Sequence, residues 1–241
     1  MISWVQAALL GLMSCCAAST IACLGTTVGN YTLNRPLIAS VFVGLILGDV
    51  KGCIQIAIPM QIIYIALVTP GGTVAADLRA VSYIGIPLAW ALAKSQGLDL
   101  GGSEASGLAG ALGAMVGTVG TVQFYGTAMM NLVWQHIGWA RLDKKDFSIV
   151  GKVEVIFPLI SHLLISFIPV MLIVYYGADA VDQFKEALPM GSWYMKSLFT
   201  LGSLLPAVGI AILLKSVVNK ATDLIFFLFG FTLAGSMHLT L

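Results

Sequence analysis

Charge is what this sequence has least of. Only 10% of its 241 residues are Asp, Glu, Lys or Arg, against roughly a quarter in an ordinary soluble domain. The formal net charge of +1 leaves no basic excess for nucleic acid or for a polybasic membrane-surface role. Cysteine is scarce too. Cys15, Cys16, Cys23 and Cys53 follow no metal-type spacing, and adjacent Cys15 and Cys16 make a poor disulfide pair, so they read as small apolar fillers. The sequence has no phosphate-cradling glycine motif, no nucleophile elbow, no zinc signature and no paired catalytic carboxylates, which argues against covalent chemistry by this chain alone and against a metal or cofactor. The alternating short strands of a β-barrel are missing as well. No basic patch opens the N-terminus, and its apolar stretch from Trp4 to Leu24 is longer than the core of about 7 to 15 residues in a secretory signal, so it reads as a retained first membrane segment.

What is present is aliphatic: 59% of the residues are hydrophobic and the mean hydropathy is +0.96. A chain this apolar belongs in lipid. Because lipid leaves no backbone group unpaired, the fold class is all-α, a polytopic transmembrane helical bundle read as one membrane-embedded domain over residues 1–241. Two regions differ. In residues 30–93 the apolar runs are interrupted. "LIASVFVGLILG", Leu37 to Gly48, is too short to cross unaided and is followed by Asp49 and Lys51. "IQIAIPMQIIYIALV", Ile54 to Val68, carries Gln55, Pro59 and Gln61, and "LVTPGGTVAADLR" separates it from "AVSYIGIPLAWALA", Ala80 to Ala93. Broken or re-entrant segments of this kind need cover from protein or a watery cavity, and they mark transport sites.

Residues 107–241 look more regular. After a Gly/Ser-rich link from Gly97 to Ser106, the segment Gly107 to Trp134 spaces Gly107, Gly110, Gly113, Gly117 and Gly120 along one side, where another helix can come close. Spans follow at Val153 to Tyr176, Leu198 to Leu214 and Leu224 to Leu241. The loop Ala140 to Lys152 holds Arg141, Lys144, Lys145 and Lys152 and is expected in the cytoplasm. The next loop, "GADAVDQFKE", is mostly acidic and is expected outside.

The candidate binding residues lie on the broken segments. A charge at helix-centre depth costs about 2.5–3.5 kcal/mol on insertion scales, so Asp77 and Arg79 should face a cavity or each other. Gln61, Gln55 and Thr69 offer donors and acceptors suited to a polyhydroxylated ligand, the alternative being helix-to-helix hydrogen bonding. His162 lies mid-span in "LISHLLISF" with no in-span carboxylate near it in sequence and is read as structural. His136 and His238 lie at segment ends.

Taken together, "NRPLIASVFVGLILGDVKG", "PMQIIYIALVTPGGTVAADLRAVS" and, more weakly, "GSLLPAVGIAILLK" resemble the IIC membrane subunit of mannose-type (mannose, fructose, sorbose) sugar phosphotransferase systems. The likeness covers most of the chain. It implies a bacterial cytoplasmic-membrane permease subunit, multi-pass and part of a higher oligomer, that binds a hexose or hexose derivative and moves it inward with a IID-like membrane partner. Cytoplasmic IIA and IIB proteins would relay the phosphate. Substrate contacts are then expected at Gln61, Thr69, Gly71, Gly72, Asp77 and Arg79. Gln61 stands where the family usually has glutamate, and the glycines that commonly precede it are replaced around Ala57 and Pro59. Family members usually continue beyond the position of Leu241, so the sequence reads as a shortened member or one with an incomplete C-terminus. The competing readings are a phosphotransferase-independent small-solute transporter and a membrane scaffold subunit.

Overall fold

The computed structural model describes residues 2–18, 24–65, 67, 76–187, 193, 207–208, 210–215, 217–218 and 220–237, and every regular element among them is helical. The α-helices are α1 (Trp4–Cys16), α2 (Gly25–Val28), α3 (Pro36–Leu47), α4 (Val50–Ile63), α5 (Leu78–Ala80), α6 (Ile86–Ser95), α7 (Ser103–Leu142), α8 (Phe157–His162), α9 (Ile168–Ala187) and α10 (Leu224–Met237). π-helical turns at Gly29–Leu33, Val81–Gly85, Lys152–Ile156 and Leu163–Phe167 connect several of them.

Local sequence explains the short hairpin α3–α4. Pro36 starts α3 at a position where a missing N–H costs nothing. Gly48 ends it in the left-handed region, with φ of 80°. Asp49 then starts α4 by accepting from the Gly52 N–H at 2.9 Å. At 12 and 14 residues, the two arms reach only about 18–21 Å, short of a hydrocarbon core about 30 Å thick.

Three of the π turns have a proline behind them. Pro87, Pro158 and Pro169 each follow the end of a turn by two residues. Having no N–H, and with a ring that clashes with the carbonyl four residues back, each forces the local register to widen. The preceding residue donates five residues back in every case: Ile86 to Val81, Phe157 to Lys152 and Ile168 to Leu163.

The buried core runs through Val43, Ile56, Met60, Tyr83, Ile86, Leu108, Val170 and Val174, where α4 and α6 pack on α7, and α1 and α6 on α9. At the N-terminus, Ser3 and Gln6 form a capping box. The Gln6 side chain also donates to the Ile46 carbonyl at 2.9 Å, tying the start of α1 to the end of α3.

Four expectations need correction. The first membrane segment does not run unbroken to Leu24: α1 ends at Cys16, with Ala17 as its cap. The link Gly97 to Ser106 is cut short because α7 begins at Ser103, Gly102 and Glu104 being compatible with a helix start. The basic loop is tighter than Ala140 to Lys152. α7 persists to Leu142, and Lys145 turns the chain with φ of 60° before helix resumes. The acidic stretch after Tyr176 is helix, part of α9, because "ADAVDQFKEA" holds good helix formers and no proline.

Candidate functional site

The glycine face of α7 organises the interrupted segments. Gly113, Gly117 and Gly120 are buried. A Cβ on Gly113 would come within 2.9 Å of Met60, one on Gly117 would meet the Tyr64 hydroxyl and Val81, and one on Gly120 would stand 3.1 Å from the Asp77 Cβ. Only glycine lets the end of α4 and the start of α5 approach this closely. The Tyr64 hydroxyl donates to the Gly113 carbonyl at 3.2 Å, and the Asp77 N–H donates to the Gly117 carbonyl at 2.9 Å.

Asp77 and Arg79 form a buried ion pair, with side-chain exposures of 3% and 5%. Asp77 Oδ1 accepts from the Arg79 backbone N–H at 2.9 Å and from Nε at 3.1 Å, and Oδ2 accepts from Nη2 at 2.7 Å. The carboxylate thereby caps α5 as well as holding the guanidinium. Of about four acceptor positions on a carboxylate, Arg79 occupies three.

The outer nitrogen of Arg79 reaches across the bundle. Nη1 lies 3.4 Å from His162 Nδ1 and 3.4 Å from Ser166 Oγ, and those two atoms are also 3.4 Å apart. All of these side chains are buried. A guanidinium can only donate, so Nδ1 is the acceptor and the imidazole proton sits on Nε2. Sequence reasoning missed this cluster, since His162 and Ser166 lie 83 and 87 residues from Arg79. The available signal was their spacing of four, which places both on one helical face.

Gln61 is placed differently. Its Oε1 accepts from the Leu37 N–H at 3.3 Å, satisfying a first-turn donor of α3 that Arg35 leaves uncapped. This is the helix-to-helix bonding weighed against a ligand contact. Thr69, Gly71 and Gly72 lie outside the described residues. Nearby, the Ser82 hydroxyl donates to the Asn34 carbonyl at 3.1 Å and the Tyr83 hydroxyl to the Leu33 carbonyl at 2.9 Å. The approach to α3, the end of α4 and the stretch from Asp77 to Tyr83 are thus linked by contacts running from one to the next. Asn34 adds a group that sequence reasoning did not select: its Oδ1 is buried with no hydrogen-bond partner among the described residues.

At the turn between α3 and α4, Asp49 Oδ2 receives Lys94 Nζ at 2.7 Å and Trp90 Nε1 at 3.0 Å, and Lys94 also lies over the Trp90 ring. Asp49 pairs with Lys94 here, Lys51 follows in the first turn of α4, and Asp99 and Glu104 flank the start of α7, as expected of an aqueous edge rather than a span. Lys94, then Trp90 and the Gly52 N–H, hold the Asp49 carboxyl down to about 2. The clamp is therefore intact above the ordinary carboxylate value of about 4, and weakens only as pH falls from there toward 2. Among the described residues no cluster of His, Cys, Asp and Glu is built to hold a metal.

Comparison with known proteins agrees with this architecture. The family model described as "PTS system sorbose-specific iic component" matches residues 4–241. The sorbose-specific EIIC component of Klebsiella pneumoniae is 24% identical over 240 residues, covering 100% of this chain and 84% of that protein. The mannose-specific EIIC component of Escherichia coli K12 is 23% identical with the same coverage. Among solved structures, one described as a membrane protein superposes with a TM-score of 0.74 at 20% identity, covering 98% of this chain and 88% of that one. A chain of the mannose transporter ManYZ in complex with microcin E492 gives 0.54 at 20% identity, covering 97% and 87%. These two show a shared fold.

Proposed function

Since the chain belongs to the sorbose-specific IIC family of phosphotransferase sugar permeases, we propose that it binds a hexose or hexose derivative within the bilayer. It would carry the sugar inward together with a IID-like membrane partner. Phosphate reaches the sugar from cytoplasmic IIA and IIB proteins, so this subunit contributes binding and passage rather than phosphoryl transfer. The setting is the bacterial cytoplasmic membrane, with several crossings and an oligomeric assembly.

One observation carries the reading: interrupted helices leave buried polar groups inside an apolar bundle. Among the described residues, Asp77 keeps an acceptor position after Arg79 has taken three, Asn34 Oδ1 is buried and unpaired, and Gln61 contributes a carboxamide in α4. A buried acceptor left unpaired costs about 1–3 kcal/mol, which a ligand hydroxyl or water relieves. A sugar presents several hydroxyls, and each neutral hydrogen bond contributes only about 0.5–1.5 kcal/mol net, so a set of contacts is needed. The residues proposed to contact the sugar are Gln61, Asp77 and Arg79 together with Thr69, Gly71 and Gly72, the last three from the sequence reading alone.

The test is uptake of radiolabelled mannose and sorbose by the assembled complex carrying Asp77→Ala. Uptake should fall at least about tenfold, the equivalent of about 1.4 kcal/mol of lost binding, with the complex still present in the membrane. Normal uptake would refute the site.

A further inference from the structure

Arg79 has two duties that a single carboxylate does not satisfy. Its Nε and Nη2 edge is taken up by Asp77, while Nη1 points away from that carboxylate toward His162 and Ser166. A buried guanidinium with an unmet donor would rotate to find one, and in rotating would draw the Asp77 oxygens with it. Nη1 is held by groups from a distant part of the chain. His162 is the last residue of α8, and Ser166 lies in the adjoining π turn Leu163–Phe167. That turn exists because Pro169 cannot donate to the carbonyl of Ile165.

We propose that His162 and Ser166 are positioning residues for the sugar site. The imidazole Nδ1 and the serine hydroxyl hold the outer corner of Arg79, and Arg79 in turn fixes the Asp77 carboxylate with one acceptor position open to a sugar hydroxyl. The inference rests on the reading of Asp77 as a ligand contact. At 3.4 Å each bond is long, so the pair acts jointly and its effect falls on orientation more than on assembly. The imidazole must be neutral, because an imidazolium would place a second positive charge against the guanidinium and remove the acceptor.

The geometry also specifies a conservative replacement. The Oδ1 of an asparagine sits close to where a histidine Nδ1 sits, so His162→Asn keeps an acceptor for Arg79, whereas His162→Leu keeps bulk and removes it. Uptake of radiolabelled mannose and sorbose is measured as KM and as maximal rate per complex in the membrane, for His162→Leu, His162→Asn, Ser166→Ala and Asp77→Ala. His162→Leu should raise KM about five- to tenfold with the maximal rate within about twofold, the equivalent of about 1–1.4 kcal/mol of lost binding. His162→Asn should restore KM to within about twofold of the wild type, and Ser166→Ala should shift it in the same direction as His162→Leu.

Equal losses in the leucine and asparagine variants would make the role one of packing and overturn the proposal. So would failure of both to accumulate in the membrane. If Asp77→Ala abolishes uptake while His162→Leu leaves KM unchanged, the positioning role falls and the sugar site stands. If Asp77→Ala takes up sugar normally, the site and the positioning role fall together.

Discussion

A buried Asp–Arg pair is weak evidence of stability, because taking two charges out of water offsets most of their attraction. Removing one partner is costly all the same, about 3–5 kcal/mol, since the other charge stays behind. For Asp77 and Arg79 this separates function from folding: a loss of uptake in Asp77→Ala has meaning only where the assembled complex is counted. Gln61 allows a cleaner experiment at the same scale. Its Oε1 is the acceptor for the Leu37 N–H, so Gln61→Ala should lower the thermal midpoint of the purified complex, as the loss of a helix cap of about 0.5–2 kcal/mol does. Gln61→Glu retains an acceptor and should leave the midpoint near that of the wild type. A drop in both variants would assign the effect to packing and not to the cap. The sequence could show that Gln61 was an anomalous polar group in an apolar run, but not that its partner was a backbone donor on the preceding helix.

At the scale of elements, what could be read in advance was whatever depended on neighbouring residues. Pro36, Gly48 and Asp49 mark the start, stop and restart of the α3–α4 hairpin within 14 residues of one another, and its shortness is plain in the sequence. The end of α1 at Cys16 carries no such mark, since neither glycine nor proline interrupts the run there. The Arg79–His162 contact is beyond any local pattern because it depends on how α7 and α8 pack between two stretches 83 residues apart. The glycine stripe lies between these extremes: its spacing forecast a close approach, but not that Tyr64 and Asp77 would be the groups approaching. Gly120→Leu should therefore disturb two things together. Its side chain would occupy the space of Asp77 and Ala80, an overpacking cost of about 1–3 kcal/mol, and both the yield of assembled complex and the residual uptake per complex should fall. Gly230→Leu, where a Cβ meets nothing among the described residues within 4 Å, is the matched control for added bulk and should retain both. Loss of assembly with full activity per remaining complex would mean that the stripe serves packing only, as the scaffold reading requires.

Across the whole molecule, the length of α7 sets a constraint that no shorter element does. Its 40 residues extend about 60 Å, twice the hydrocarbon thickness, so even a strongly tilted helix must emerge from lipid at both ends. Its charges agree. Glu104 lies in the first turn and Arg141 in the last, each matching the helix dipole at its end, while Lys144 and Lys145 follow immediately. Basic residues near the end of a span favour the cytoplasm, which would put Leu142 inside and Ser103, beyond the Asp49–Lys94 clamp in the chain, outside. This orientation would have the sugar meet the clamp's side of the bundle first and leave on the side of the basic turn, where the phosphate carriers act. In a background with Cys15, Cys16, Cys23 and Cys53 replaced by serine or alanine, Ser103→Cys should react with a membrane-impermeant maleimide added to intact cells. Leu142→Cys should react only in inverted vesicles. Labelling of both from one side would mean that α7 does not cross the bilayer, and the assignment of an outer and an inner face to the sugar path would fail with it.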